Sequence, residues 1–242
     1  MLDHPLLNLL LPNHCPLCGV DVGDKYSLCQ GCWLSLPTLS SQLCGRCGEE
    51  VTMSLANGCG HCQGVGVMQD RTLCAFPYEP PISLLLLGAK FADKSRWGAM
   101  AAHWGWARLG RELQGLQVDG VVPVPLHEER LRKRGFNQAA LLAKPLAKAL
   151  RRPLLTDLLF RPVATLPQTR LDRKAREANM RGVFRAQWGE RAVAEHLLLV
   201  DDTMTTGATV REAAAALKKS GVGQVTVMVL AKAMRDTARY GG

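Results

Sequence analysis

Nothing in this chain approaches a membrane span: the longest apolar run, Leu84 to Leu87 with its neighbours, falls far short of the ~20 residues a crossing helix needs. The leucine-rich start lacks a basic leader, carries Asp3 and is interrupted by Pro5 and Pro12, which argues against a secretory signal. A soluble, cytoplasmic protein without membrane insertion is expected. Aromatic residues make up only 5% of the chain, so base-stacking platforms are scarce. Trp97, Trp104 and Trp106 fall at a spacing that suits helix packing better. No glycine-rich lysine loop is present, and Gly64-x-Gly66 and Gly221-x-Gly223 are too short to hold a dinucleotide. Cysteine is absent from residue 75 onward, although the chain contains nine.

With 242 residues, 47% apolar and 21% charged, the chain can build a packed core, and wholesale disorder is excluded. Its net charge of +9 is unevenly placed. Residues 1–75 hold three basic and six acidic side chains, whereas residues 130–181 hold 14 basic and three acidic ones. A field this concentrated attracts polyanions or a phosphorylated small molecule; the alternative is a basic face kept for solubility. The two asymmetries together imply a cysteine-rich module at residues 1–75 and a second domain at 76–242.

Eight of the nine cysteines form four Cys-x-x-Cys pairs, Cys15/Cys18, Cys29/Cys32, Cys44/Cys47 and Cys59/Cys62, separated by 10, 11 and 11 residues. One such turn presents two thiolates to one ion, so two turns close a tetrahedral zinc site and four close two. Two structural zinc ions are expected. A redox motif would be single and set in a βαβ unit, and structural disulfides disagree with a cytoplasmic location. Connectivity is open between sequential and interleaved pairing; sequential is favoured because each half is then self-contained. Cys74 is left over and reads as a core residue, and His14 and His61 as loop residues, since the thiolates complete both sites.

Beyond residue 76, short apolar runs (Gly120–Pro125, Leu197–Val200, Val225–Leu230) alternate with helical patterns (Asn137–Leu150, Val210–Ser220), predicting an α/β fold with a mostly parallel sheet flanked by helices. Ligands of such sheets bind at the carboxyl ends of the strands. One of these ends reads Leu197-Leu198-Leu199-Val200-Asp201-Asp202-Thr203-Met204-Thr205-Thr206-Gly207-Ala208-Thr209. An apolar strand delivers two acids, then a loop of small and hydroxylated residues opening a helix. Such a loop offers N–H groups and hydroxyls to a phosphate, and adjacent carboxylates accept hydrogen bonds from sugar hydroxyls. Together they describe a ribose-5-phosphate site.

The Asp201–Thr209 stretch resembles the phosphoribosyl-pyrophosphate (PRPP) motif of type I phosphoribosyltransferases, and the whole chain resembles the ComF family. The match runs from the double zinc ribbon through Val122-Pro123-Val124-Pro125-Leu126-His127 and Arg134-Gly135-Phe136-Asn137-Gln138. It continues over Gln168-Thr169, Arg173, Arg176, Asn179 and Arg181-Gly182 to the PRPP motif. The resemblance implies a type I phosphoribosyltransferase-like sheet behind a double zinc ribbon, and magnesium bound with PRPP. Asp201 and Asp202 would hold the ribose hydroxyls, flanked by Thr203, while Thr205, Thr206, Gly207, Ala208 and Thr209 would hold the 5-phosphate. Val124 and Pro125 would form the pyrophosphate loop, with Arg134 and Gln138 nearby. Segment 168–181 would be a lid, with Arg173 and Arg176 joining the acids as catalytic residues by neutralising the departing pyrophosphate.

The resemblance also implies a link to natural transformation or to use of DNA as a nutrient, single-stranded DNA as a partner, and work beside a helicase-like ATPase. Three functions remain: a PRPP-dependent transferase, a nucleic-acid-handling protein that keeps the fold, and a scaffold docking an ATPase. Because little chain follows Ala231, the zinc module with residues 76–110 is expected to form the hood over the site.

Overall fold

The computed structural model describes residues 13–40, 42–53, 58–88, 94–162 and 182–234. Two short strands, β1 (Asn13–His14) and β2 (Asp21–Val22), pair antiparallel around the first cysteine knuckle, and α1 (Gln30–Leu34) carries the second, with Cys29 as its N-cap. Helix α2 (Gly60–Val65) carries the last knuckle. Then come β3 (Arg71–Pro77), α3 (Ile82–Gly88), α4 (Lys94–Gln114), β4 (Gly120–Pro123), α5 (Glu128–Arg134) and α6 (Gln138–Leu150). A small antiparallel hairpin, β5 (Leu159–Phe160) with β6 (Arg185–Ala186), precedes β7 (His196–Met204), α7 (Ala208–Lys219) and β8 (Gln224–Lys232). Among the described residues, no helix is long and apolar enough to cross a membrane.

The central sheet is four-stranded and parallel throughout, in the order β3-β8-β7-β4. The expected division after residue 75 falls inside β3, so the sheet takes an edge strand from chain grouped above with the cysteines. Strict alternation sorts the strand side chains between two cores. Leu198, Val200, Met228 and Leu230 face one side, against Trp97, Trp104 and Leu113 of α4 and Leu142 and Leu146 of α6. Leu197, Leu199, Val225, Val227 and Val229 face the other, against Val210, Ala213, Ala214 and Leu217 of α7. Helices therefore cover both faces, as the unbroken apolar runs required. Trp97 and Trp104 are core residues, their indole N–H groups donating to Leu85 O (2.9 Å) and Tyr26 O (2.8 Å). Helices α4 and α6 pack so closely that a Cβ on Gly98 would lie 2.8 Å from the Leu141 carbonyl oxygen.

Helix α6 is positioned by its cap. The Asn137 carboxamide accepts from Ala139 N (3.0 Å) and donates to Val124 O (2.9 Å), tying the helix start to the loop after β4. Beyond α6 the chain returns to the outer edge of β4, where Leu154 bridges Val121 in parallel, before crossing to β7 on the other side. Connections therefore diverge from β4, and the crevice at the carboxyl ends of β4 and β7 is the topological switch point.

The cysteine module is fastened to this sheet at several places. Ser27 Oγ lies 3.1 Å from His103 Nε2 on α4, and Trp33 meets Phe76 edge-on with ring centroids 6.2 Å apart. The Arg108 guanidinium lies 5.0 Å from the Trp33 ring and 4.9 Å from that of Phe76. Thr72 of β3 donates from its hydroxyl to Arg46 O (2.6 Å) and from its amide to Gly45 O (2.8 Å). Cys74 is a buried residue of β3, its thiol pushed up to about 12 by burial, as expected of a core cysteine.

Candidate functional site

The knuckles gather the cysteines into two clusters, Cys15, Cys18, Cys29, Cys32 and Cys44, Cys47, Cys59, Cys62, with sequential pairing. Sulfur–sulfur separations are 3.6 Å for Cys18–Cys29, Cys44–Cys62 and Cys47–Cys59, and 3.9 Å for Cys59–Cys62. A disulfide would need ~2.05 Å. A tetrahedron with ~2.3 Å zinc–sulfur bonds has an edge of about 3.8 Å, so the donors fit zinc. Gly19 and Gly48, directly after second cysteines, have φ of 77° and 70°, the left-handed conformation a knuckle turn requires. The clusters differ in exposure: all four sulfur residues of the second are buried, whereas Cys18 of the first is exposed. Among the described residues no histidine joins either cluster; His14 instead pairs with Asp21 at 2.9 Å.

At the switch point, β7 outruns β4. Pairing with β4 stops at Pro123↔Val200, whereas pairing with β8 continues through Asp201↔Val229 and Thr203↔Ala231 to Met204↔Lys232. The strand thus runs further than the expected Leu197–Val200, because β8 supports it on one edge. Its other edge faces the loop after β4, and a cleft of about 150 Å³ opens there. Asp201, Asp202, Thr203 and Thr209 line one side, and Val124, Pro125, Arg134 and Gln138 the other. All eight were expected from the sequence.

Leu126, Asn137 and Ala139 line it as well, and so do two arginines that the sequence did not single out, Arg130 and Arg161. The only signal for them was the basic run from residue 130, which does not say which of its cations turn inward. Arg161 is buried beside Phe184, with 5.8 Å from guanidinium to ring centroid. Burial, with Arg130 nearby, draws it down to about 10 against the pull of Asp201, so it stays a cation at neutral pH. Asp201 is held well above the usual carboxylate range by burial first, then by the charge and hydrogen bonding of Asp202. Asp202 N donates to Asp201 Oδ1 (2.9 Å), and Thr203 Oγ1 donates to Asp202 Oδ1 (3.3 Å). The acids are thus fixed relative to one another, facing arginines.

The loop ahead of α7 is placed beside the cleft. Gly207 takes φ 74° at the helix N-cap, where an L side chain would be strained, and the Thr206 hydroxyl accepts from Ala208 N at 3.4 Å. Thr205 is exposed and Ala208 buried. Thr206 and Gly207 share a small cavity with Cys47 and His61 of the second ribbon and with Arg211 and Lys232. The ribbon therefore abuts this loop from the flank. Among the described residues it does not line the cleft, unlike the hood expected of it. Gln138 is partly engaged elsewhere, donating from Nε2 to Leu86 O at 3.3 Å. His127 caps α5, its Nδ1 accepting from Glu129 N at 3.3 Å. Arg173 and Arg176 lie outside the described residues.

Fold and site define a class: a double zinc ribbon carried on a four-stranded parallel sheet, with an acid pair and a Thr-Thr-Gly loop at its switch point. The family model of the double zinc ribbon domain matches residues 6–63. The chain is 31% identical over 230 residues to the DNA utilization protein YhgH of Escherichia coli K12, spanning 93% of this chain and all of that protein. It is 32% identical over 217 residues to competence protein F of Haemophilus influenzae, spanning 86% and 92%. The chain belongs to the ComF/YhgH family of competence and DNA-utilization proteins. Among solved structures, orotate phosphoribosyltransferase from Aeropyrum pernix aligns over 58% of this chain and 61% of its own at 19% identity and a TM-score of 0.31. The class is carried by strand order and site, not by that alignment.

Proposed function

We propose that this protein binds PRPP in the cleft between β4 and β7 and transfers its phosphoribosyl group, in the service of DNA uptake or of DNA as a nutrient. The observation that carries this reading is the acid pair Asp201–Asp202 lining one small cleft with Thr209 and with Arg130, Arg134 and Arg161. Carboxylates accept from the ribose hydroxyls. Thr205, Thr206, Gly207, Ala208 and Thr209 offer hydroxyls and N–H groups to the 5-phosphate at the start of α7. The Val124–Pro125 loop and the arginines face the pyrophosphate, holding the charge that grows on it as the ribose C1–oxygen bond lengthens. Arg173 and Arg176 are assigned to the same task from the lid. Magnesium, bound with PRPP, would neutralise part of the pyrophosphate charge, and the oxygen-only donors of the acid side suit such a hard cation. The chain's own part is positioning and electrostatics, with no covalent intermediate on a side chain.

The relatives' names support the DNA connection, and the basic turn of α5, Arg132, Lys133 and Arg134, supports single-stranded DNA as a partner. That same basic surface favours a second reading, in which the fold is kept for handling nucleic acid, alongside a helicase-like ATPase, without turnover. Calorimetric titration of the zinc-loaded protein with magnesium–PRPP decides between them. The transferase reading expects binding that the Asp201→Asn/Asp202→Asn double variant loses. Absence of binding by folded wild type overturns it and leaves the nucleic-acid-handling reading.

A further inference from the structure

The second ribbon meets the sheet through its third knuckle, residue by residue. The Gly45 and Arg46 carbonyls accept from Thr72 of β3, and the Arg46 side chain donates to Gln69 O (3.3 Å) and Val67 O (3.1 Å). Gly48 fits so closely that a Cβ there would lie 3.0 Å from Cys74 Sγ and 3.4 Å from Lys232 Cδ. Glu49 then pairs with Lys232 at the end of β8. Lys232 stands in register with Met204 of β7, and Ala233 N donates to Met204 O at 2.9 Å. Met204 in turn lies against Gly207, where an added Cβ would stand 3.7 Å from Met204 Sδ. An unbroken run of contacts thus leads from a thiolate cluster to the loop ahead of α7.

The loop has little of its own to hold it. Gly207, at the N-cap of α7, offers no side-chain cap, and the Thr206 hydroxyl reaches Ala208 N only at 3.4 Å, a weak bond. What lies behind the loop therefore decides its shape. Cys47 and Glu49 share with Met204, Thr206, Gly207 and Lys232 a gap of about 10 Å³, room for one water at most. Surfaces packed this closely pass on a shift instead of absorbing it. The ion pair adds direction. Two apolar side chains would hold the ribbon as firmly, because burying two charges costs about what their attraction returns. A charged pair at hydrogen-bond distance also fixes where the strand end sits.

We infer that Glu49 and Lys232 are positioning residues for the loop ahead of α7, so that the second ribbon, closed by zinc on Cys44, Cys47, Cys59 and Cys62, holds this loop in its ligand-receiving shape. The inference rests on reading the loop as the seat of the PRPP 5-phosphate, and it deepens that reading. Filling of the second zinc site and filling of the loop are coupled, and each strengthens the other by the same factor. The first ribbon is fastened elsewhere, through the contact of Trp33 with Arg108 of α4, and takes no part.

The experiment compares two variants of the full zinc-loaded chain. Glu49→Gln keeps the size of the side chain and removes its charge. Arg108→Gln loosens the first ribbon, and Arg108 lines neither the cleft nor the gap behind the loop. Amide hydrogen exchange over residues 203–211, read without ligand and relative to α6, should quicken in Glu49→Gln and keep the wild-type rate in Arg108→Gln. Magnesium–PRPP affinity should fall about tenfold in Glu49→Gln and change little in Arg108→Gln. In wild type, saturating magnesium–PRPP should slow the release of the second, buried zinc to a chelator and leave the first unaltered. That measurement needs no substitution at the pair, so it decides the matter if Glu49→Gln does not fold. Unaltered exchange in Glu49→Gln, equal losses of affinity in the two variants, or zinc release indifferent to bound PRPP overturns the positioning role. Absence of PRPP binding by folded wild type, with exchange still quickened in Glu49→Gln, overturns the PRPP reading and leaves the positioning role standing.

Discussion

The Lys232 ammonium lies 2.9 Å from the Glu49 carboxylate, with both side chains almost completely shielded from water. Lys232 ends the central strand β8, and Glu49 follows the third cysteine knuckle, so the pair pins the second ribbon to the sheet behind the Thr206–Gly207 loop. Breaking a buried pair strands a charge. Lys232→Met is expected to destabilise the protein by ~3–5 kcal/mol, and adding Glu49→Leu to recover most of it. Urea unfolding of the two single variants and the double variant measures the coupling; additive losses would show that the two residues act separately.

Each chain is expected to bind two zinc ions, countable by native mass spectrometry. Exposure of Cys18 makes the first site the one a chelator empties first. Cys47→Ser, in the wholly buried second site, should lower thermal stability more than Cys18→Ser.

Asp201 gives a stability effect opposite to the common carboxylate case. Its folded-state proton affinity exceeds that of the unfolded chain, so its contribution is present below the ordinary carboxylate value, about pH 4, and is lost as pH rises through the raised folded value. Asp201→Asn should therefore melt near the wild-type temperature in acid and a few degrees above it at neutral pH. The same variant should weaken magnesium–PRPP binding. In the proposed function ribose hydroxyls would donate to the ionised acid, so wild-type affinity should climb with pH until Asp201 is deprotonated.

His196 works in the other direction. Burial holds its imidazole below the usual value, against opposing pulls from the Gln117 carbonyl and Asp119, and its ring nitrogens lie 3.0 Å from Gln117 O and 2.9 Å from Thr226 Oγ1. The unfolded chain then takes up the proton more readily. Stability from this residue is complete above about pH 6.5 and is lost as pH falls through the depressed folded value. His196→Gln should be less stable than wild type at neutral pH, with the gap closing in acid. Denaturation midpoints at two pH values check this.

What the sequence revealed was local. The helical patterns over Asn137–Leu150 and Val210–Ser220 announced α6 and α7, and the Cys-x-x-Cys spacings announced both thiolate clusters. The Asp201–Thr209 register placed the acids at a strand end before any partner strand was known. What stayed hidden depends on distant neighbours. The extension of β7 to Met204 needs β8 alongside it, and Arg161 enters the cleft only because the β5–β6 hairpin turns it inward. β3 was obscured because Cys74 made an apolar strand look like the tail of the cysteine module. Likewise, nothing local distinguishes Lys232 from any surface lysine.

The sheet order also governs how the molecule can be assembled. β8 is the last described strand in the chain, yet it lies between β3 and β7. Until it emerges from the ribosome, β3 and β7 have no common neighbour, and each presents an open edge. The ribbon module cannot acquire the counter-charge of Glu49 before that moment either. During synthesis the nascent chain therefore holds two unfinished halves, and one late insertion closes the sheet, seats the ribbon and braces the Thr206–Gly207 loop together. A ribosome stalled shortly before Gln224 would carry a chain with none of the three.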